Sequence, residues 1–123
     1  METIRNIPEL LGHTMRNVYQ DSENQGDLLV FERTDGTKIT FYHYQSCCEG
    51  VWIDVVEGEF EDLVGSPILK AEVYTQGYDP RRGDDIGQYT FYTFATIKGT
   101  VQVMWRGESN GYYSIDVYMR IED

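Results

Sequence analysis

Positive charge is scarce in this chain: 10 Lys and Arg stand against 21 Asp and Glu, giving a formal net charge of -11 over 123 residues. A surface of that sign repels polyanions, which excludes a nonspecific RNA or DNA coat, so direct nucleic-acid binding is not expected. Long apolar runs are missing as well. No segment approaches the ~20 consecutive apolar residues that cross a bilayer, and residues 1–12 lack the basic and apolar blocks of a secretory signal. The expectation is a cytoplasmic protein. Cysteine is confined to the adjacent pair Cys47 and Cys48, whose mutual bond would strain both ring and peptide, so two free thiols in a reducing compartment are expected.

Further absences narrow the chemistry. Neither CxxC nor HxxxH spacing links the cysteines to His43 or to His13, so no zinc site is expected. The acidic run Glu57, Glu59, Glu61 and Asp62 lacks the alternating ligands and central glycine of an EF-hand loop; it reads as acids entering a helical turn, where they complement its dipole. Gly107 to Gly111 joins strand to strand and opens no helix, so it is neither a P-loop nor a dinucleotide fingerprint. No period of 20 to 50 residues recurs, which excludes repeat architectures. The length suits one domain with a single core.

What is present reads as a mostly β (α+β) fold of antiparallel meanders, with about seven or eight strands and one or two short helices. Pro8 and Gly12 bracket a short amphipathic turn. Residues 15–19 and 28–33 form strands around a polar loop at 21–26, and Asp35-Gly36 closes a hairpin onto residues 38–44, where Ile39, Phe41 and His43 share a face. Residues 51–56 form a strand, 60–65 a helical turn stopped by Gly65 and Pro67, and 68–74 another strand. Residues 76–88 read as the one long polar loop.

From Tyr89 to Ile121 the chain reads as a three-stranded meander. Two three-residue loops, Ile97-Lys98-Gly99 and Ser109-Asn110-Gly111, each carry glycine where a left-handed residue is wanted. That register pairs Glu108 with Tyr112, Trp105 with Ile115 and Val103 with Val117. It places Phe91, Ala95, Val101, Val103 and Trp105 on a core face, and Tyr92, Phe94, Met104, Arg106, Tyr112, Tyr118 and Arg120 outside, with Arg106 diagonal to Tyr92. Aromatic rings beside arginines suit a base that stacks while guanidinium and amide groups hold phosphate and ribose. The candidate ligand-binding residues are therefore Tyr92, Phe94, Arg106, Ser109, Asn110, Tyr112 and Arg120. The same face would equally suit burial against the other meander or against a second copy.

A resemblance is carried by Cys47-Cys48-Glu49, Val51-Trp52-Ile53-Asp54, Gly65-Ser66-Pro67-Ile68, Thr96-Ile97-Lys98-Gly99 and the segment from Trp105 to Ser114. In these the chain resembles a family of small phage and prophage proteins near the type-one Thoeris anti-defence proteins, sponges for cyclic ADP-ribose isomers made by bacterial TIR-domain enzymes. Some members also take up cyclic oligonucleotides of the CBASS defence. One departure is that the arginine that often precedes the tryptophan is replaced by Met104, while Arg106 follows it. The resemblance implies a homo-oligomer that binds a cyclic nucleotide signal between subunits, in the cytoplasm of an infected host, without hydrolysis, metal or cofactor.

Two other function classes fit parts of the sequence. The charge of -11 suits an acidic nucleic-acid mimic that inhibits a CRISPR or restriction nuclease, although the acids are spread over loops and turns rather than spaced like phosphates. A cysteine hydrolase would use Cys47 or Cys48 with His43 as base and Glu49 as orienting group. No oxyanion site accompanies that set, and buried thiols pack as small hydrophobes. The expectation is a binding protein rather than an enzyme.

Overall fold

A computed structural model of the protein describes residues 3–24, 26–83 and 85–123. The described residues form nine strands in two antiparallel sheets, with one 3-10 turn. The strands are β1 (Arg5–Asn6), β2 (Met15–Glu23), β3 (Gly26–Arg33), β4 (Lys38–Tyr42), β5 (Gly50–Glu57), β6 (Lys70–Tyr78), β7 (Ile86–Thr96), β8 (Gly99–Ser109) and β9 (Tyr118–Glu122). One sheet has the order β1-β6-β7-β8-β5 and the other β2-β3-β4-β9. The fold is mostly β, as expected from the alternating pattern.

The sheets face each other across one apolar core. Leu29, Phe31, Ile39 and Phe41 from the smaller sheet meet Ala71, Val73, Tyr92, Phe94, Val103 and Trp105 from the larger. The β3–β4 hairpin follows its turn chemistry. Gly36 has φ 96°, Asp35 Oδ1 accepts the Thr37 N–H at 2.9 Å, and Phe31 lies opposite Ile39. A 3-10 turn at Phe60–Leu63 plugs the core with the fully buried Leu63.

The β7–β8 hairpin departs from expectation by one residue. Thr96 pairs with Gly99, leaving a two-residue loop. Since side chains alternate with period two, this one-residue change turns β7 over relative to β8. Tyr92 and Phe94 enter the core beside Val101, Val103 and Trp105, while Phe91 faces outward. The turn closes without a left-handed glycine, because Thr96 Oγ1 accepts the Lys98 N–H at 3.1 Å and itself donates to the Asp62 carbonyl. Gly99 instead leaves room for the Asp62 side chain, whose Oδ2 would lie 2.7 Å from a Cβ there and would have to shift.

The expected third strand beside β8 is also corrected. The partner of β8 is β5, with Ile53 opposite Trp105 and Val51 opposite Gly107. After Ser109 the chain leaves this sheet and crosses to the other, where β9 pairs with β4 and Ile121 lies opposite Ile39. Ile115 crosses the inner face of β8 on the way, and a Cβ at Gly107 would come within 2.8 Å of its Cβ. The polar stretch 21–26 is mostly strand, since β2 runs to Glu23 and β3 begins at Gly26, and the expected loop 76–88 shortens to the segment between β6, which runs to Tyr78, and β7, which begins at Ile86. Gln25 and Asp84 within them lie outside the described residues. Cys47 and Cys48, expected as free thiols, are bonded to each other.

Candidate functional site

The outer face of the five-stranded sheet carries a run of half-buried aromatic side chains. Alternation along the strands sends Tyr74 and Tyr78 of β6, Tyr89 and Phe91 of β7, Met104 and Arg106 of β8 and Trp52 of β5 to this side. The rings organise in pairs. Tyr78 stacks on Tyr89 with centroids 4.4 Å apart, and Tyr74 stacks on Phe91 at 4.8 Å. Arg106 sits among them, its guanidinium carbon 5.1 Å from the Tyr78 centroid and 5.9 Å from those of Tyr89 and Trp52. Three rings around one cation make a preorganised flat surface, because a guanidinium is attracted to ring faces.

Arg106 is held by a closed ring of hydrogen bonds. Its Nε donates to the Tyr78 hydroxyl at 2.8 Å, the Tyr78 hydroxyl donates to Glu108, and Arg106 Nη2 donates to the same Glu108 oxygen at 3.3 Å. The bond from Tyr78, opposed by burial and helped by Arg82 and Arg106, keeps the Glu108 carboxyl below its ordinary range. Burial first, and then the bond to Glu108, push the Tyr78 phenol up. The bond to Tyr78 raises Arg106 further. Nη1 makes a long ion pair with Asp54 Oδ2 at 3.8 Å, beyond hydrogen-bond distance, so an anionic ligand there competes with that carboxylate.

Beside this ring a cleft of about 320 Å³ is lined by Trp52, Arg82, Glu108, Ser109, Asn110 and Tyr113 among others. Arg82 reaches Glu108 Oε1 at 3.3 Å with its side chain 68% exposed. An anionic group entering here meets Arg82 alongside the acids Asp85 and Glu108, with Arg106 behind Glu108 and outside the cleft's lining.

The expected site residues separate into four places. Arg106 stands at the centre of the outer face, next to Tyr89 rather than Tyr92. Ser109 and Asn110 line the adjoining cleft while shaping its loop: Ser109 Oγ donates to the Tyr113 carbonyl and accepts the Gly111 N–H, and Asn110 Oδ1 accepts the Tyr112 N–H. Tyr112 projects from that loop, 82% exposed, with its ring edge-on to Tyr113. Tyr92 and Phe94 are in the core. Arg120 belongs to the other sheet, over Tyr42 and paired with Glu23 and Glu122. Trp52, Tyr78, Arg82, Tyr89 and Glu108 were not anticipated. Tyr78 was hidden by reading residues 76–88 as a loop, and Tyr89 and Trp52 by the one-residue register error and by the missing β5–β8 pairing.

The cysteine–histidine set forms a closed knot instead of a reactive pair. His43 Nε2 bonds Glu49 Oε2 at 2.8 Å and Nδ1 bonds the Asp116 carbonyl at 2.6 Å. Both ring nitrogens are tied to oxygen partners, so neither faces a cysteine sulfur. Glu49 is buried. Burial alone would raise its pKa, but the Ser46 N–H, His43 and the Cys47 N–H outweigh it and hold the carboxyl at about 2. Its two oxygens fasten the loop that carries the bonded cysteines.

Among the described residues no helix is long and apolar enough to cross a membrane. Residues 8–119 match the family described as Domain of unknown function (DUF7448), and the chain belongs to that family. No curated protein and no solved structure matches it.

Proposed function

We propose that this protein is a noncatalytic sponge for a cyclic nucleotide signal, bound on the arginine-centred aromatic face of the five-stranded sheet. The observation that carries the reading is Arg106, framed by Trp52, Tyr78 and Tyr89 with its Nη1 in a long pair to Asp54. A base stacks on the exposed ring surface. Phosphate oxygens take the Nη1 protons of Arg106, in competition with Asp54, and those of the exposed Arg82, while Asn110 and Glu108 offer polar contacts to ribose hydroxyls. The resemblance to the type-one Thoeris anti-defence proteins supports a cyclic ADP-ribose-type signal in the cytoplasm of an infected bacterium, with cyclic oligonucleotides as further candidates. The same resemblance supports a homo-oligomer. Sequestration asks for tight binding and slow release, and no step of it needs an acid, a base, a metal or a cofactor.

Calorimetry against a panel of glycocyclic ADP-ribose isomers and cyclic oligonucleotides, followed by heating to release the ligand, tests the reading. Saturable binding with intact ligand recovered is the expected result. A cleaved product would make the protein an enzyme, and no binding across the panel would remove the nucleotide reading. Capture of a CRISPR or restriction nuclease complex in that last case would favour the acidic mimic.

A further inference from the structure

Cys47 and Cys48 are bonded to each other, yet the bond performs none of the tasks of a structural disulfide. Both residues are exposed, so it staples no core. The two cysteines are adjacent in sequence, and a disulfide stabilises a fold mainly through the length of chain it closes into a loop in the unfolded state. Here no such length exists.

The segment carrying the pair is fixed by other means. The buried Glu49 carboxylate accepts the Ser46 N–H at 2.8 Å and the Cys47 N–H at 3.0 Å, and it is itself anchored on His43 at 2.8 Å. Gln45 Nε2 donates to the carbonyls of Cys47 and Glu49. None of these bonds passes through sulfur. Opening the S–S bond therefore leaves the two side chains next to each other on an anchored surface loop, as a dithiol arranged to close again. Each cysteine also lines a cleft of its own, Cys48 with Trp52 and Arg82, and Cys47 with Tyr42 and Arg120. A thiol from outside can approach from either side. His43 is tied to Glu49 and to the Asp116 carbonyl, so it activates neither cysteine, and the attacking thiolate has to come from the other reactant.

We propose that the Cys47–Cys48 pair is a reversible thiol–disulfide exchange site whose substrate is a dithiol reductant. One thiolate of the reductant attacks a cysteine sulfur, the S–S bond breaks, and the other cysteine leaves as a thiolate that takes up a proton. The second thiol of the reductant, giving up its own proton, then displaces the mixed disulfide. Two electrons and two protons have passed to the chain: both cysteines are thiols, and the reductant has become a cyclic disulfide. An oxidised thiol such as glutathione disulfide runs the exchange the other way. The site stands apart from the nucleotide reading, and its test uses no nucleotide.

The test is whole-chain mass spectrometry with iodoacetamide as the thiol label. Protein treated with glutathione disulfide should take no label, dithiothreitol should expose a label site at each of Cys47 and Cys48, and renewed glutathione disulfide should abolish both. The reduced chain should capture phenylarsine oxide, which bridges the two thiols with release of water, and Cys47→Ser or Cys48→Ser should weaken that capture at least about a hundredfold, as loss of one arm of a chelate does. Reduction should shift the melting temperature by less than about 3 °C, because the bond closes no loop and the anchors of its segment remain. Labelling of both cysteines despite glutathione disulfide would overturn the proposal, as would a bond that dithiothreitol leaves intact in the folded protein. Equal arsenical capture in the single-serine variants would also overturn it, and a larger fall in melting temperature would make the bond structural instead.

Discussion

Glu49 and Glu108 lie next to each other across the β5–β8 ladder, where Gly50 is opposite Glu108, but their hydrogen-bonding capacity is used differently. Glu49 is fully enclosed, and its oxygens are taken by His43 and by the N–H groups of Ser46 and Cys47. Glu108 joins Tyr78, Arg106 and Arg82 at a half-exposed face where Arg106 Nη1 is left with the long pair to Asp54. Both clusters set a basic side chain against a carboxylate, so that pairing alone does not identify a binding site. What separates them is whether donors remain unused: the inner cluster fastens a loop, and the outer one presents a surface.

The largest effect should come from breaking the inner cluster. In Glu49→Gln, either orientation of the amide sets an NH2 against an N–H donor, from Cys47 in one case and from Ser46 and His43 in the other. We expect a loss of about 3 kcal/mol in urea unfolding, the cost of removing one partner from a buried pair. The pH dependence should follow. An unfolded chain protonates this carboxyl near 4.5 while the folded one resists to about 2. The stability it contributes is therefore complete above pH 4.5 and lost as pH falls toward 2. Urea unfolding across that range should show the wild-type advantage over Glu49→Gln shrinking with acid.

The outer cluster should respond in the opposite manner. Arg106→Ala is expected to weaken nucleotide capture by at least about tenfold in calorimetry while changing unfolding free energy by about 1 kcal/mol or less, as for exposed ion pairs. A large stability loss with affinity intact would erase the distinction between the two clusters. Tyr78→Phe removes one donor and one acceptor from the ring around Arg106. It should cost roughly 1 kcal/mol of stability, read from the same unfolding curves, with a smaller loss of affinity than Arg106→Ala. Arg120→Ala, on the far sheet, should change stability by about 0.5 kcal/mol and leave ligand affinity unaltered.

Some of this arrangement was legible in the chain and some was not, for reasons that differ by element. The hairpin at Asp35-Gly36 could be read because its turn needs a left-handed glycine and a side-chain acceptor, both encoded locally. The turn at Ile97-Lys98 misled because Gly99 serves a close approach to Asp62, which is 37 residues away in sequence and invisible to turn chemistry. That single residue exchanged Tyr89 and Phe91 for Tyr92 and Phe94 on the outer face. The pairing of β9 with β4 joins Lys38 to Glu122, a long-range choice made by core packing and not by any local signal. Arg106 survived these errors because its own strand was read in the right phase.

The chain's two tryptophans report on the central claim directly, since Trp52 frames Arg106 on the outer face and Trp105 is buried in the core. Following their indole N–H resonances while a glycocyclic ADP-ribose isomer is added should show the Trp52 signal moving to saturation and the Trp105 signal holding still, with the movement abolished in Arg106→Ala. Saturable binding that leaves Trp52 unmoved, or that persists unchanged in Arg106→Ala, would contradict the assignment of this face as the binding site.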